Sequence, residues 1–231
     1  MIAPTRIPVA LAWSGGKDSS LALAALRSDP TVEVVSLLTT VTGDYDRISI
    51  HGVRRTILEA QVSALGLPLI RATIPAAATN DVYESAFASA LETLQRQHPE
   101  VSHLAFGDLF LADVRVYRER LLGRLGWTPV FPLWGKDTSL LARRFVDQGY
   151  RAILTCVDTT QLGPEFAGRE FDAALLDDLP TTVDPCGERG EFHTCVYDGP
   201  IFPQRLPLQR GERVLRDGRF QYCDLMLLSG D

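Results

Sequence analysis

Trp13-Ser14-Gly15-Gly16-Lys17-Asp18-Ser19-Ser20 is the densest concentration of chemistry in the sequence. Adjacent glycines let the backbone reach positive φ and approach a ligand closely, so successive N–H groups can converge on phosphate oxygens where a helix begins. Lys17 adds a mobile positive charge there. Asp18 and Ser19 suit either a helix cap or a phosphate-bound Mg2+. Of the 23 Lys and Arg residues only Lys17 and Lys136 are lysines. A compact ammonium on a flexible stem fits a crowded phosphate site better than a planar fork, although Lys136 reads equally well as a solvated residue before a helix. A second cluster, Glu188, Glu191 and His193, falls within six positions and is interleaved with Gly187 and Gly190. Two carboxylates and an imidazole suit orienting an amine, accepting its proton or holding a metal. In an extended segment Glu191 and His193 share a face. The same glycines also suit a solvated turn, and both readings stand at this level.

These groups need elements to position them. The glycine stretch lies between an apolar run, Val9 to Ala12, and a helix-forming run over 21–27, which reads as strand, glycine turn, helix. A Walker A loop would need glycine at the position of Leu11, and no strand is followed by G-x-G-x-x-G. Residues 32–38 form a nearly continuous apolar run, a buried parallel-type strand, ending in Thr39 and Thr40. Those threonines are either nucleoside contacts or structural, and residues 41–50 read as a loop at the ligand-binding edge of the sheet. His51 is either ligand-facing or a polar cap for a helix whose stripe is Val53, Ile57, Ala60 and Ala64 and which Gly66 ends. A strand at 67–70, a helix over 82–97 and a strand over 101–106 follow. That strand ends in Gly107-Asp108, where the carboxylate either holds Mg2+ or orients substrate, or else caps the next helix.

The helix over 113–125 turns Val114, Tyr117, Leu121, Leu122 and Leu125 inward and Arg115, Arg118, Glu119, Arg120 and Arg124 mostly outward. Pro129 and Pro132 make 127–133 an edge or terminating strand. Asp137 caps a helix over 138–148, and a strand over 150–157 follows it. Beyond that the rhythm changes: a helix over 172–179, the glycine-rich acidic cluster, and a hairpin signal at Asp217-Gly218. The expected fold class is α/β, a parallel sheet with helices on both faces over 1–150, plus a smaller C-terminal α+β domain over 151–231.

With 231 residues and 45% hydrophobic content the chain is a globular protein of that size. A net charge of −6 and the lack of a Lys/Arg-rich block argue against nucleic acid as a partner, with local patches left at Arg54-Arg55 or Arg143-Arg144. No signal-like segment and no apolar run of ~18 residues is evident, so the expectation is a cytoplasmic protein without a membrane partner. The four cysteines form no C-x-x-C pair, and Cys186, His193 and Cys195 match no standard zinc spacing.

Ser-Gly-Gly-Lys-Asp-Ser resembles the PP-loop of the N-type ATP pyrophosphatases, which cleave ATP between its α- and β-phosphates. Over nearly its full length the chain resembles the diphthine–ammonia ligase family. The matching pieces are residues 14–19, Gly107-Asp108, Phe131-Pro132-Leu133-Trp134-Gly135, the segment from Leu162-Gly163 to Gly168-Arg169, and residues 186–194 followed by Asp198-Gly199-Pro200. The resemblance implies a HUP-type nucleotide-binding domain, a smaller substrate domain and a site between them. It also implies that ATP adenylates a carboxylate, that ammonia displaces AMP, and that diphthine on elongation factor 2 is the substrate in archaea and eukaryotes. On this reading Ser14, Gly15, Gly16, Lys17, Asp18 and Ser19 bind the phosphates and Thr39 and Thr40 the nucleoside. Lys17, Asp108, Glu188, Glu191 and His193 serve catalysis, and Asp18 or Asp108 holds Mg2+.

Where eukaryotic and archaeal members carry Glu-Gly-Gly-Glu-Tyr/Phe-Glu-Thr, this sequence has Arg189 in place of the middle small residue and His193 in place of the third acid. It looks like the bacterial branch, in which the carboxylate would be another one. Two rival readings are a PP-loop tRNA-modifying enzyme and a non-catalytic adenine-nucleotide sensor. The acidic charge and the missing C-x-x-C count against the first. Oligomeric state is open, with a dimer among the options.

Overall fold

The computed structural model describes residues 6–43, 47–48 and 52–228. His51 and residues 44–46 and 49–50 of the expected loop lie outside the described residues. In chain order the elements are β1 (Ile7–Ala12), α1 (Lys17–Ser28), β2 (Val32–Thr42), β3 (Arg47–Ile48), α2 (Arg55–Leu65), β4 (Leu69–Ile74), α3 (Asn80–Gln97), β5 (His103–Ala105), α4 (Ala112–Arg124) and β6 (Thr128–Val130). Then come α5 (Thr138–Asp147), β7 (Arg151–Asp158), a 3-10 turn (Pro164–Phe166), α6 (Ala173–Asp178), β8 (Phe192–Asp198), β9 (Leu208–Arg216) and β10 (Phe220–Leu227).

The first six strands form one sheet, in which β4, β2, β1, β5 and β6 run parallel in that order. The chain winds outward from β1 to β2 and β4, then returns to the other side of β1 for β5 and β6. The reversal opens a crevice at the carboxyl ends of β1 and β5, where the two loops diverge. β2 runs to Thr42, longer than the sequence suggested, because Val41 and Thr42 pair antiparallel with β3. β6 carries Pro129 and, among the described residues, pairs with β5 alone, as suits an edge strand with a missing N–H donor.

Alternation along the central strands builds two cores. Val9 and Leu11 of β1 and Leu37 of β2 pack with Leu23 of α1 and Ile57 of α2, while Ala10, Leu38 and Leu104 pack with Phe87 and Leu91 of α3 and Leu122 of α4. Helices therefore cover both faces. The remaining strands form a separate antiparallel sheet in the order β8-β7-β10-β9, whose buried residues join the α1–α2 core. The β9–β10 turn is made by Asp217 (φ 51°) and Gly218 (φ 61°), both in the left-handed region that a two-residue hairpin requires.

Two helix ends fall as the sequence indicates, with Asp137 accepting from Leu140 N at 2.9 Å and Gly66 ending α2 at φ 67°, and Asp172 caps α6 by accepting from Leu175 N at 2.8 Å. Two stripes are displaced. α2 buries Ile57, Leu58, Gln61 and Leu65, so its inner face is rotated from the expected one and includes a polar residue. α4 leaves Leu125 exposed beyond its last turn and brings Arg118 inward.

Candidate active site

A cavity of about 460 Å3 opens at the β1–β5 crevice. Its walls come from the glycine loop, the ends of β2 and β5, helices α3 and α4, and residues 187–194 of the C-terminal part. Its size falls in the range of roughly 300–1,000 Å3 typical of small-molecule sites.

Gly15 adopts φ 75°, and a Cβ there would lie 2.4 Å from Gln61 Oε1, so only glycine fits for two separate reasons. No side chain caps α1; Ser19 and Ser20 hydroxyls instead donate back to the Gly16 carbonyl at 3.0 and 2.9 Å. The Asp18 carboxylate therefore is not the cap that its position allowed. Gly107 packs against the same turn, where a Cβ would lie 2.9 Å from the Asp18 carbonyl carbon.

The free edge of β8 meets this loop. Val196 N donates to Gly15 O at 2.9 Å, and Lys17 N donates to Thr194 Oγ1 at 3.0 Å. The glycine loop thus covers an edge strand that would otherwise present open backbone groups, and the two sheets are joined at the cavity.

Lys17 lines the cavity with only 1% of its side chain exposed. Its Nζ lies 2.8 Å from both carboxylate oxygens of Asp18, donates to the Cys186 carbonyl, and sits about 6 Å above the rings of Phe171 and Phe192. Burial works against the charge, but Asp18 together with Cys186 and Glu188 outweighs it and holds the ammonium above its ordinary pKa. Asp18 keeps 31% of its side chain exposed.

The acidic cluster divides by role. Glu191 precedes β8 and turns its carboxylate into its own loop, 1% exposed, accepting from the amides of Asp184 and Arg189 at 2.9 Å each. It does not share the cavity with His193, because a carboxylate this buried takes the nearest donors. Gly187 (φ 66°) and Gly190 (φ 83°) make the turns that bring those amides round. His193 and Glu188 do line the cavity. Glu188 Oε1 accepts from Leu109 N at 2.7 Å and Phe110 N at 3.3 Å, tying the loop after β5 to the C-terminal part. Burial, only partly offset by those amides, raises its pKa.

Asp108 also lines the cavity, but both its oxygens are taken by Arg118, at 2.5 and 3.1 Å. It caps no helix, since α4 begins at a Leu111 N-cap without a side-chain bond. Arg118 stacks 4.1 Å from the Phe106 centroid and faces the cavity, held there by a pairing the helical pattern alone does not reveal. Thr39 and Thr40 also line the cavity, with Leu38 and Ile74. Among the described residues no three His, Cys, Asp or Glu side chains come together to hold a metal ion. Mg2+ usually relies on one or two carboxylates plus substrate phosphates, and Asp18 offers one at the glycine-loop end.

Sequence reasoning missed Gln61, Asp184 and Arg118. Asp184 takes Thr138 Oγ1 at 2.7 Å and Cys186 N at 2.9 Å and so shapes the loop that carries Glu188. Gln61 was visible as a polar residue four after Ile57, at a core position of α2. The Arg54-Arg55 patch is neutralised by Asp224 and Glu59. Burial pushes the thiols of Cys186 and Cys195 up to about 12, so neither is a ready nucleophile.

Residues 7–129 match the family described as Diphthamide synthase N-terminal domain, and residues 137–225 match Diphthamide synthase C-terminal domain. The chain belongs to the diphthamide synthase family. Its relatives include the diphthine–ammonia ligase of Schizosaccharomyces pombe, 29% identical over 87% of this chain and 36% of that protein. Those of Rattus norvegicus and Homo sapiens are 27% and 26% identical, each over 90% of this chain and 85% of theirs. The chain thus spans little more than a third of the yeast protein and most of the mammalian ones. The second family match begins at residue 137, the N-cap of α5. Among the described residues no helix is long and apolar enough to cross a membrane.

Proposed function

We propose that this member of the family is an ATP-dependent ligase that adenylates a carboxylate, releases pyrophosphate, and transfers the acyl group to ammonia. The observation that carries this reading is the convergence of the glycine loop and the 187–194 loop on one cavity at the sheet's switch point. The relatives' names give the expected acceptor, diphthine, and the amine, ammonia.

ATP enters with its phosphates at residues 14–19 and its nucleoside toward Thr39 and Thr40. Lys17 neutralises charge on the departing pyrophosphate, exchanging its contact with Asp18 for the phosphate oxygens. When bound, Mg2+ would add charge neutralisation at the phosphates, and Asp18 is the residue placed to hold it. A carboxylate oxygen of the acceptor attacks the α-phosphorus and the α–β bond breaks. Asp18 and Glu188 would repel that carboxylate, and Arg118, held by Asp108, offsets them. Ammonia then attacks the acyl carbon, AMP leaves, and the proton released from nitrogen passes to Glu188 or His193. Glu191 acts through the loop it holds. The high thiol pKa values of Cys186 and Cys195 weigh against the sulfur-transfer branch of the tRNA-modifying alternative.

The test is product analysis with α-labelled ATP, Mg2+ and ammonium, with diphthine-bearing elongation factor 2 or cell-extract fractions as acceptor source. AMP formed only when both acceptor and ammonium are present supports the ligase. ATP binding with no AMP from any acceptor source would favour a nucleotide sensor.

A further inference from the structure

Gln61 is completely buried, and at the back of the glycine loop its side-chain amide makes three hydrogen bonds to nitrogen and oxygen partners besides a longer one, 3.9 Å, from Nε2 to Cys195 Sγ. Nε2 donates to Gly15 O at 3.0 Å and to Val196 O at 2.6 Å, and Oε1 accepts from Trp13 Nε1 at 3.3 Å. The orientation of the amide is fixed by its partners: two carbonyls can only accept, and an indole N–H can only donate. No isosteric side chain meets all three.

The Gly15 carbonyl is the point on which these bonds converge, since it also accepts from Val196 N at 2.9 Å. In a trans peptide the carbonyl and the following N–H point to opposite sides. Anchoring Gly15 O against Gln61 and β8 therefore turns Gly16 N–H the other way, toward Ser14 Oγ at 3.3 Å on the cavity wall. The peptide between two glycines meets little steric resistance to rotation, and the reversed orientation would aim a carbonyl oxygen at the phosphates. Something must hold it.

We infer that Gln61 is a positioning residue that locks the Gly15–Gly16 peptide in its phosphate-receiving orientation, and that through Val196 it makes this orientation depend on the seating of the C-terminal sheet. The inference rests on the reading of residues 14–19 as a phosphate site. Gln61 touches no ligand itself. It explains why a helix otherwise packed by Ile57, Leu58 and Leu65 carries an amide in its buried stripe.

The experiment uses the whole chain and its Gln61→Met and Gln61→Glu variants. Binding of inorganic pyrophosphate and of MgATP is measured by calorimetry, with KM for ATP and kcat for AMP formation alongside. Gln61→Met keeps the volume and loses both donors; its pyrophosphate affinity should fall at least tenfold and its KM for ATP rise similarly, with kcat at saturating ATP within threefold. Gln61→Glu supplies at most one donor and should fall between, and it carries the test if Gln61→Met does not fold. A role in stability alone would lower the melting temperature and leave KM unmoved. Pyrophosphate affinity within twofold of the parent in a folded variant would overturn the role of Gln61. A parent chain that binds neither pyrophosphate nor ATP would overturn the phosphate site itself.

Discussion

The ammonium of Lys17 lies 2.8 Å from each carboxylate oxygen of Asp18, its neighbour in sequence, and reaches across to the Cys186 carbonyl. One side chain thus joins the glycine loop to the loop that carries Glu188. Lys17→Ala removes the charge meant for pyrophosphate and leaves a buried carbonyl without its donor. AMP formation should fall by about 100-fold or more, the size of effect seen when a preorganised charge contact is lost. Unfolding free energy should also fall by about 1–3 kcal/mol, from the group left unsatisfied. Lys17→Arg should recover little, because a planar fork cannot replace a compact ammonium that meets both Asp18 oxygens and the Cys186 carbonyl in a site where only 1% of the side chain is exposed. Denaturant titration and an AMP assay on the same preparations check both, and full activity in Lys17→Ala would remove the assignment.

Asp108 and Arg118 should behave as one unit. If Asp108 serves by holding Arg118, Asp108→Asn and Arg118→Gln each lower acceptor-dependent turnover by about tenfold, and the double variant is little worse than either. Coupling of this kind is expected of residues in direct contact. The Mg2+ concentration giving half-maximal rate should stay where it is in all three. A rise in that concentration specific to Asp108→Asn would mean that the carboxylate meets the metal instead.

How far the sequence alone reached depends on the range of each interaction. Periodicity and glycine placement are local, and so the parallel sheet, the Asp137 cap, the Gly66 stop and the Asp217-Gly218 turn could be read directly. The glycine loop could be read too, because its chemistry lies in eight consecutive residues. What lay hidden were side chains whose function is set by distant partners. Arg118 looked solvated on α4 until Asp108 and Phe106 turned it inward. Glu191 looked like the partner of His193, yet its carboxylate serves the amides of Asp184 and Arg189. Gln61 was an unexplained polar residue until β8, 135 residues further along, closed over it.

Asp158 sets the acid limit of the C-terminal sheet. Its buried carboxylate, at the end of β7, accepts from Arg219 at 3.0 and 2.6 Å, from Thr160 at 3.1 and 2.7 Å, and from Gln161 at 2.9 Å. The Arg219 guanidinium and these donors hold its pKa far below the usual carboxylate range. A depressed native pKa gives stability that is present above the unfolded value, ~3.9, and is lost as pH falls through the native one. Asp158→Asn should lose about 2 kcal/mol at pH 7 and show a flatter decline below pH 4 than the parent. Parallel acid curves for the two proteins would count against it.

Glu188 gives the opposite pH signature. Burial raises its pKa, so ionising it costs the folded state: its contribution to stability is full below the unfolded carboxylate value and is lost as pH rises through the raised native one. Turnover depends on that same ionisation if the carboxylate accepts a proton from the amine. The acid limb of the rate profile should then lie above the ordinary glutamate range, ~4.3, at saturating ATP. Glu188→Gln separates the two roles, because an amide oxygen can still accept from Leu109 N and Phe110 N while it cannot take a proton. This variant should keep its ATP affinity, lose about 100-fold or more in ammonia-dependent turnover, and lose the acid limb with it. Its stability should vary less between pH 4 and pH 8 than that of the parent. A Glu188→Gln protein with unchanged turnover and an unchanged acid limb would move the proton acceptor to His193, the other titratable group that the 187–194 loop brings to the cavity.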